Sequence, residues 1–129
     1  MIGGVGVDLC EIRRIRRALT GTAGARFRER VFTADEQAYC EGRGRGRYES
    51  YAVRFAAKEA AMKVLGTGWS AGVGWRDLEV VRAEDAAPRL RLHGEAARVA
   101  RRKRLVRWQV TLSHTRTTAI AWVLAETRS

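Results

Sequence analysis

The sequence predicts an α+β fold in which a mainly antiparallel sheet is packed with helices. Three observations carry it. Helical and strand-like stretches cluster rather than alternate. Residues 105–112 alternate cleanly between apolar and polar, as a half-buried strand does. A second, more continuously apolar strand follows at 118–124 after a short loop. Taken in order, residues 2–7 are short, apolar and β-branched and read as a strand, with Asp8 at its end. Ile12, Ile15 and Leu19 fall at i, i+3, i+7, one face of a helix, until Gly21 and Gly24 break the pattern. Phe27, Val31 and Phe32 suggest a short helical turn. Thr33-Ala-Asp-Glu36 is a capping box that opens a helix ending near Gly42. Residues 42–47 alternate Gly and Arg and read as a flexible basic loop.

Ser50 is placed to cap the next helix, which runs through Tyr51, Phe55, Ala60 and Leu65 to a C′ stop at Gly66. Residues 77–83 and 89–92 read as two strands joined by a turn ending at Pro88. Glu95 to Arg104 is Ala-rich and helical. In the strand that follows, Val106, Trp108, Val110 and Leu112 face one way and Arg107, Gln109 and Thr111 the other. The connection to the last strand is Ser113-His114-Thr115-Arg116-Thr117.

The chain has 129 residues, one domain's length, and no repeat or linker-like shift divides it, so 1–129 reads as a single domain. With 46% hydrophobic and 30% charged residues it is a folding chain rather than a disordered one. No apolar run is long enough for a membrane span, and the N-terminus lacks a basic region before an apolar one. The expectation is a cytoplasmic protein without a membrane anchor. Two cysteines, Cys10 and Cys40, are too few for a disulfide framework and lack zinc-ligand spacing. Lys and Arg number 25 against 14 acids, a net charge of +11, which steers association with polyanions. Nucleic acid, an anionic membrane, phosphorylated metabolites and acidic proteins all qualify. The basic residues concentrate at 13–17, 26–30, 42–47 and 98–107.

Glu59 and Lys63 lie at i, i+4 on one helix face. They read either as a surface ion pair, worth about 0.3–0.5 kcal/mol, or as a metal-binding carboxylate beside a phosphate-binding ammonium. Ala56, Ala57, Ala60 and Ala61 keep that helix slim enough for a ligand or another backbone to approach. Gly66-Thr67-Gly68 at its end is a small loop able to wrap a pyrophosphate, though neither a Walker motif nor a dinucleotide fingerprint is present. Asp8 is either a turn former or, with Glu59, the second hard oxygen ligand that Mg2+ takes beside waters and substrate phosphates. Ser113, His114 and Thr115 offer three groups able to bind a phosphate or ribose. A Ser-His-Asp hydrolase is not supported, because Ser113 and His114 are adjacent and no nucleophile elbow exists.

These motifs, in this order, resemble the small bacterial 4′-phosphopantetheinyl transferases of the holo-[acyl-carrier-protein] synthase type. Gly4-Val-Gly-Val-Asp8-Leu-Cys-Glu11-Ile is similar to the family's opening strand with its metal-binding Asp. Phe32-Thr-Ala-Asp-Glu36-Gln-Ala-Tyr39 matches the next segment. Arg54-Phe-Ala-Ala-Lys58-Glu59-Ala-Ala-Met-Lys63-Val-Leu-Gly66-Thr-Gly68 matches the most specific motif. Trp75-Arg-Asp77-Leu-Glu79-Val and Val110-Thr-Leu-Ser113-His114-Thr115 follow in order. Two segments depart from the pattern: Ala86-Ala87-Pro88, and the unusually Arg-rich loop 42–47.

The resemblance implies the phosphopantetheinyl transferase fold and transfer of the phosphopantetheine arm from coenzyme A to a carrier-protein serine, releasing 3′,5′-ADP. It implies Mg2+ on Asp8 and Glu59, with Lys63 neutralising a phosphate oxygen. Glu59 would help take the serine proton, directly or through water on the metal, and both routes stay open. Coenzyme A would be held by Arg54, Lys63, Gly66, Thr67, Gly68, Ser113, His114 and Thr115. An acidic acyl carrier protein would be met by Arg14 and Arg26. A homotrimer with active sites between subunits is implied, without nucleic-acid or membrane partners. The carrier served, of fatty-acid or polyketide synthesis, stays open. The rival reading, a basic nucleic-acid-binding module, explains the charge but not the Asp8, Glu59 and Lys63 set.

Overall fold

The computed structural model describes residues 1–66, 72–83 and 85–128. In chain order they form β1 (Ile2–Glu11), α1 (Ile12–Thr20), α2 (Gly24–Val31), α3 (Ala34–Glu41), a 3-10 turn (Gly44–Gly46), α4 (Arg47–Leu65), a 3-10 turn (Trp75–Asp77), β2 (Leu78–Val81), β3 (Arg89–Leu92), α5 (Gly94–Arg102), β4 (Leu105–His114) and β5 (Thr118–Thr127). The sheets are antiparallel, as expected: one of three strands in the order β1-β5-β4, and a hairpin of β2 with β3.

The organising element is α4. Thirteen of its nineteen residues are buried, so it runs through the interior rather than along the surface. Its small face lies on the sheet. Gly6 of β1 sits so close that a Cβ there would run into the Ala60 carbonyl oxygen. The opposite side of α4 meets an aromatic group in which Phe32 and Tyr51 are 4.8 Å apart and Phe55 stacks on Trp75 at 4.8 Å.

A buried ion pair joins the helices to the hairpin. Lys58 Nζ lies 2.8 Å from Glu36 Oε1, both side chains fully buried, and also donates to the carbonyls of Trp75 and Leu78. Burial lowers the Lys58 pKa and the Glu36 carboxylate pulls it back. Glu36 is also the N3 residue of the expected capping box, accepting from Thr33 N at 2.9 Å and from Val80 N at 2.9 Å. One carboxylate therefore caps α3, neutralises α4 and anchors β2.

Several local expectations change. β1 continues past Asp8 because Cys10 and Glu11 still pair with Ala119 and Thr118, so Asp8 is inside a strand rather than at its end. Residues 24–31 are a full helix, not a turn. The segment 42–47 is not a free loop: a 3-10 turn leads directly into α4 at Arg47. Ser50 therefore lies inside the helix and caps nothing; its hydroxyl accepts from Arg54 Nη1 at 2.8 Å. Gly66 does close α4, in the left-handed region at φ 74°. Val106 does not face the core with Trp108, Val110 and Leu112. A bulge between Leu105 and Arg107 turns it out, leaving it 53% exposed. Ser113 and His114 end β4 instead of lying in the loop.

The outer face of the three-stranded sheet is apolar over β1 and β5, whereas β4 presents Arg107, Gln109 and Thr111 there. Val5, Val7 and Leu9 of β1 lie beside Trp122 of β5, all at least 40% exposed. No helix of the described residues is long and apolar enough to cross a membrane.

Candidate functional site

Asp8 enters the site because β1 alternates. Gly6 and Cys10 point at the helix layer, and so does the residue between them in that register. The close approach of Gly6 to Ala60 brings the last turns of α4 onto Asp8. There Lys63 Nζ donates to Asp8 Oδ1 at 3.0 Å and to the Val7 carbonyl at 2.9 Å. Glu59, one turn earlier, meets Asp8 side chain to side chain. Burial, then the Asp8 charge and the hydrogen bond shared with it, raise the Glu59 carboxyl above 4.5, against the pull of Arg14 and Lys63. Asp8, Glu59 and Lys63, far apart in the chain, thus form one cluster. Its two carboxylates are held together at an electrostatic cost.

Arg54 builds a second cluster. It is 2% exposed, and its guanidinium stacks 4.3 Å from the Tyr39 ring. Nη1 is bonded to Ser50, while Nε and Nη2 have no protein partner among the described residues. Buried guanidinium N–H groups are rarely left unpaired. Arg54 lines a cavity of about 310 Å³ together with Arg43, Arg82, Ser113 and His114. Three arginines surround one hollow, with Arg54 Nε and Nη2 unspent and the Glu49 carboxylate also in the lining, an arrangement with the donors to hold an anion. Arg43 and Arg82 were not singled out in the sequence. Arg43 was hidden in a run of arginines, and Arg82 reaches the cavity only because the β2–β3 hairpin packs beside α4.

Thr115 does not join that cavity. Its hydroxyl accepts from the amides of Thr117 at 3.2 Å and Thr118 at 3.0 Å, which fixes the β4–β5 turn. Thr67 and Gly68 lie outside the described residues. Arg14 sits on α1 with its guanidinium 5.7 Å from the Phe55 ring, within the field of Glu59. Arg26 is exposed on α2, which packs against α1.

The two clusters occupy opposite edges of the sheet. Asp8 pairs with Ala121, which pairs with Leu112. The intervening strand β5 keeps the carboxylates about 10 Å in backbone spacing from the Ser113–His114 edge. One chain therefore presents the Asp8 and Glu59 carboxylates on one side and the Arg43, Arg54 and Arg82 cavity on the other.

Residues 4–123 match the sequence profile of the 4′-phosphopantetheinyl transferase superfamily. A holo-[acyl-carrier-protein] synthase of Solibacter usitatus is 44% identical over 126 residues, spanning 98% of this chain and 99% of that protein. One of Methylorubrum populi is 48% identical, spanning 98% and 94%. The crystal structure of a holo-(acyl-carrier-protein) synthase from Bacillus anthracis in complex with CoA (3′,5′-ADP) superimposes with a TM-score of 0.79 at 32% identity, covering 99% of each chain.

Proposed function

The chain belongs to the 4′-phosphopantetheinyl transferase superfamily, among its holo-[acyl-carrier-protein] synthases, and from that premise we propose how its own residues carry the transfer. The phosphopantetheine arm moves from coenzyme A to a serine of an apo acyl carrier protein. The serine oxygen bonds to the phosphorus that bears pantetheine, the pyrophosphate P–O bond breaks, and 3′,5′-ADP leaves. The observation that carries this reading is the cluster of Asp8, Glu59 and Lys63.

Asp8 and Glu59 fit a divalent cation. They are hard oxygen donors, and their mutual repulsion is what such an ion relieves. Mg2+ bound there would offset the charge that develops on the pyrophosphate oxygens. Lys63 spends two of its three N–H groups on Asp8 and Val7 and keeps one for a phosphate oxygen. Glu59 helps take the serine proton, directly or through a water. Arg54, with Arg43, Ser113 and His114, holds a phosphate of the nucleotide part, and Thr67 and Gly68 are assigned to coenzyme A by the family motif alone. A cytoplasmic protein with this charge meets two acidic substrates. The test is incubation with coenzyme A, Mg2+ and an apo carrier protein, read by intact mass. A carrier without a phosphopantetheine adduct would end the reading.

We also infer a trimer in which the carboxylate edge of one chain meets the arginine cavity of the next. The support is twofold: the clusters lie on opposite sheet edges, and the outer face holds exposed Val5, Val7, Leu9 and Trp122. Trp122→Glu is expected to yield monomers by sedimentation and to lose transfer together with assembly. Full activity in a monomer would contradict a shared site.

Arg14 and Arg26 meet the acidic carrier. Arg14→Glu is expected to raise the carrier KM about tenfold at low salt, Arg26→Glu less, while the coenzyme A KM stays nearly constant. Equal effects on both substrates would place Arg14 in the shared site instead.

A further inference from the structure

Within the basic stretch 98–107, one residue turns away from the solvated face. Arg98 and Arg102 lie against Glu95 on the surface of α5. Lys103, the residue at which α5 ends, reaches instead to the last residue of α4, where its Nζ donates to the Leu65 carbonyl. The two residues are 38 positions apart in the chain. Ala96, Val99 and Ala100 of α5 share a core with Ala61 and Leu65 of α4, so the base from which Lys103 extends is fixed. Among the described residues Lys103 is in no ion pair. The Leu65 bond uses one of the three N–H groups that an ammonium carries.

Both sides of the contact are shaped for it. Arg104, directly after Lys103, stands in the left-handed region at φ 60°, which a side chain disfavours. The Lys103 amide donates to the Val99 carbonyl and the Arg104 amide to the Arg101 carbonyl, both at 3.0 Å, so the turn that carries Lys103 is closed by its own backbone. On the other side, Gly66 is required twice over. It takes φ 74°, and a Cβ there would lie 3.1 Å from Lys103 Nζ. The lysine occupies the space beside that glycine.

The end of α4 has the wrong electrostatic sense for a phosphate. Aligned peptide dipoles leave a partial negative charge at a helix C-terminus, and phosphates are held at the opposite end. Yet Gly66 stands at this C-terminus, in the motif assigned to coenzyme A. Lys63, the basic residue of the last turn, leans toward β1, on Val7 and Asp8. The ammonium bonded to the helix end is that of Lys103. We infer that Lys103 is a positioning residue for coenzyme A: it holds the Leu65–Gly66 peptide and offsets the negative end of α4, so that phosphates of the nucleotide can lie beside Gly66. The inference rests on the transferase reading above. It gives Lys103 no part in the proton transfer or in carrier binding.

The test uses the whole protein with Lys103→Met, which keeps the length of the side chain and loses its charge and donors. Coenzyme A and 3′,5′-ADP are titrated by calorimetry with Mg2+ present, and both substrates are then varied in steady state. The expected result is a Kd for each nucleotide weakened about tenfold at about 50 mM salt, a difference that narrows by about 0.5 M. The coenzyme A KM should rise to match, while kcat and the carrier KM hold. Lys103→Arg, which restores charge and donors, should recover most of the loss, and Lys103→Gln, a donor without charge, should fall between the two. Unchanged nucleotide affinity in Lys103→Met would overturn the inference. So would an equal rise in both KM values with a lowered melting temperature, which is the signature of a purely structural lysine, and so would Lys103→Arg binding no better than Lys103→Met. Failure of the transferase reading is seen separately, as wild-type protein that leaves the apo carrier unmodified.

Discussion

Glu59→Gln and Asp8→Asn are each expected to lower turnover by about a thousandfold, the scale on which single electrostatic stabilisers act at reacting oxygens. Neither should unfold the protein. Glu59 illustrates why. Its carboxyl is raised in the folded state above 4.5, first by burial and then by Asp8. An acid with a raised folded pKa destabilises once it ionises. The cost is absent below pH 4.5, grows as pH rises through the folded value, and is fully present above it. Glu59→Gln removes that cost, so at neutral pH and without divalent ions the variant should melt no lower than wild type. Wild type should gain melting temperature when Mg2+ is added, by mass action on the folded state, and the variant should gain less. Near-normal turnover of either variant at low Mg2+ would remove these residues from the site.

Gly6→Ala is expected to damage both stability and transfer. The added Cβ meets the Ala60 carbonyl oxygen, which is helix backbone and cannot rotate away. Either β1 or α4 must shift, at about 2–3 kcal/mol for an overpacked core. That corresponds to a melting point lower by about 10 °C in a chain of this size. The shift also moves Asp8 away from Glu59 and Lys63, so activity should fall further than the lost stability accounts for. Gly3→Ala is the control. Its Cβ would meet the side-chain atoms Leu105 Cδ2 at 2.6 Å and Thr127 Cγ2 at 2.8 Å. Those can yield, and Gly3 lies three residues along β1 from Gly6 and its contact with the Ala60 carbonyl. A Gly6→Ala protein with wild-type melting temperature and turnover would show that the close approach does not set the site.

Much of the molecule is readable residue by residue because it depends on local chemistry. The capping box at Thr33 and Glu36 closes within three residues, and the left-handed stop at Gly66 needs only a residue without a Cβ. The alternation of Trp108, Val110 and Leu112 follows from the two-residue period of a strand. Asp8, Glu59 and Lys63 stand out because their residue types and motif order match a family pattern, which residues 4–123 share. The rest needed the chain folded. β1 outlasts Asp8 because β5 offers it partners up to Thr118, and pairing is a property of two strands. Ser50 gives up its capping role because the 3-10 turn before it already forms the helix entry, freeing its hydroxyl for Arg54. Val106 leaves the apolar face because a bulge inserts one residue into the ladder. Which arginines gather around the Arg54 hollow, and which basic residue reaches the end of α4, depends on distances between segments far apart in the chain. Charge and spacing along a chain cannot encode those distances; packing of α4 between the sheet and the aromatic layer does.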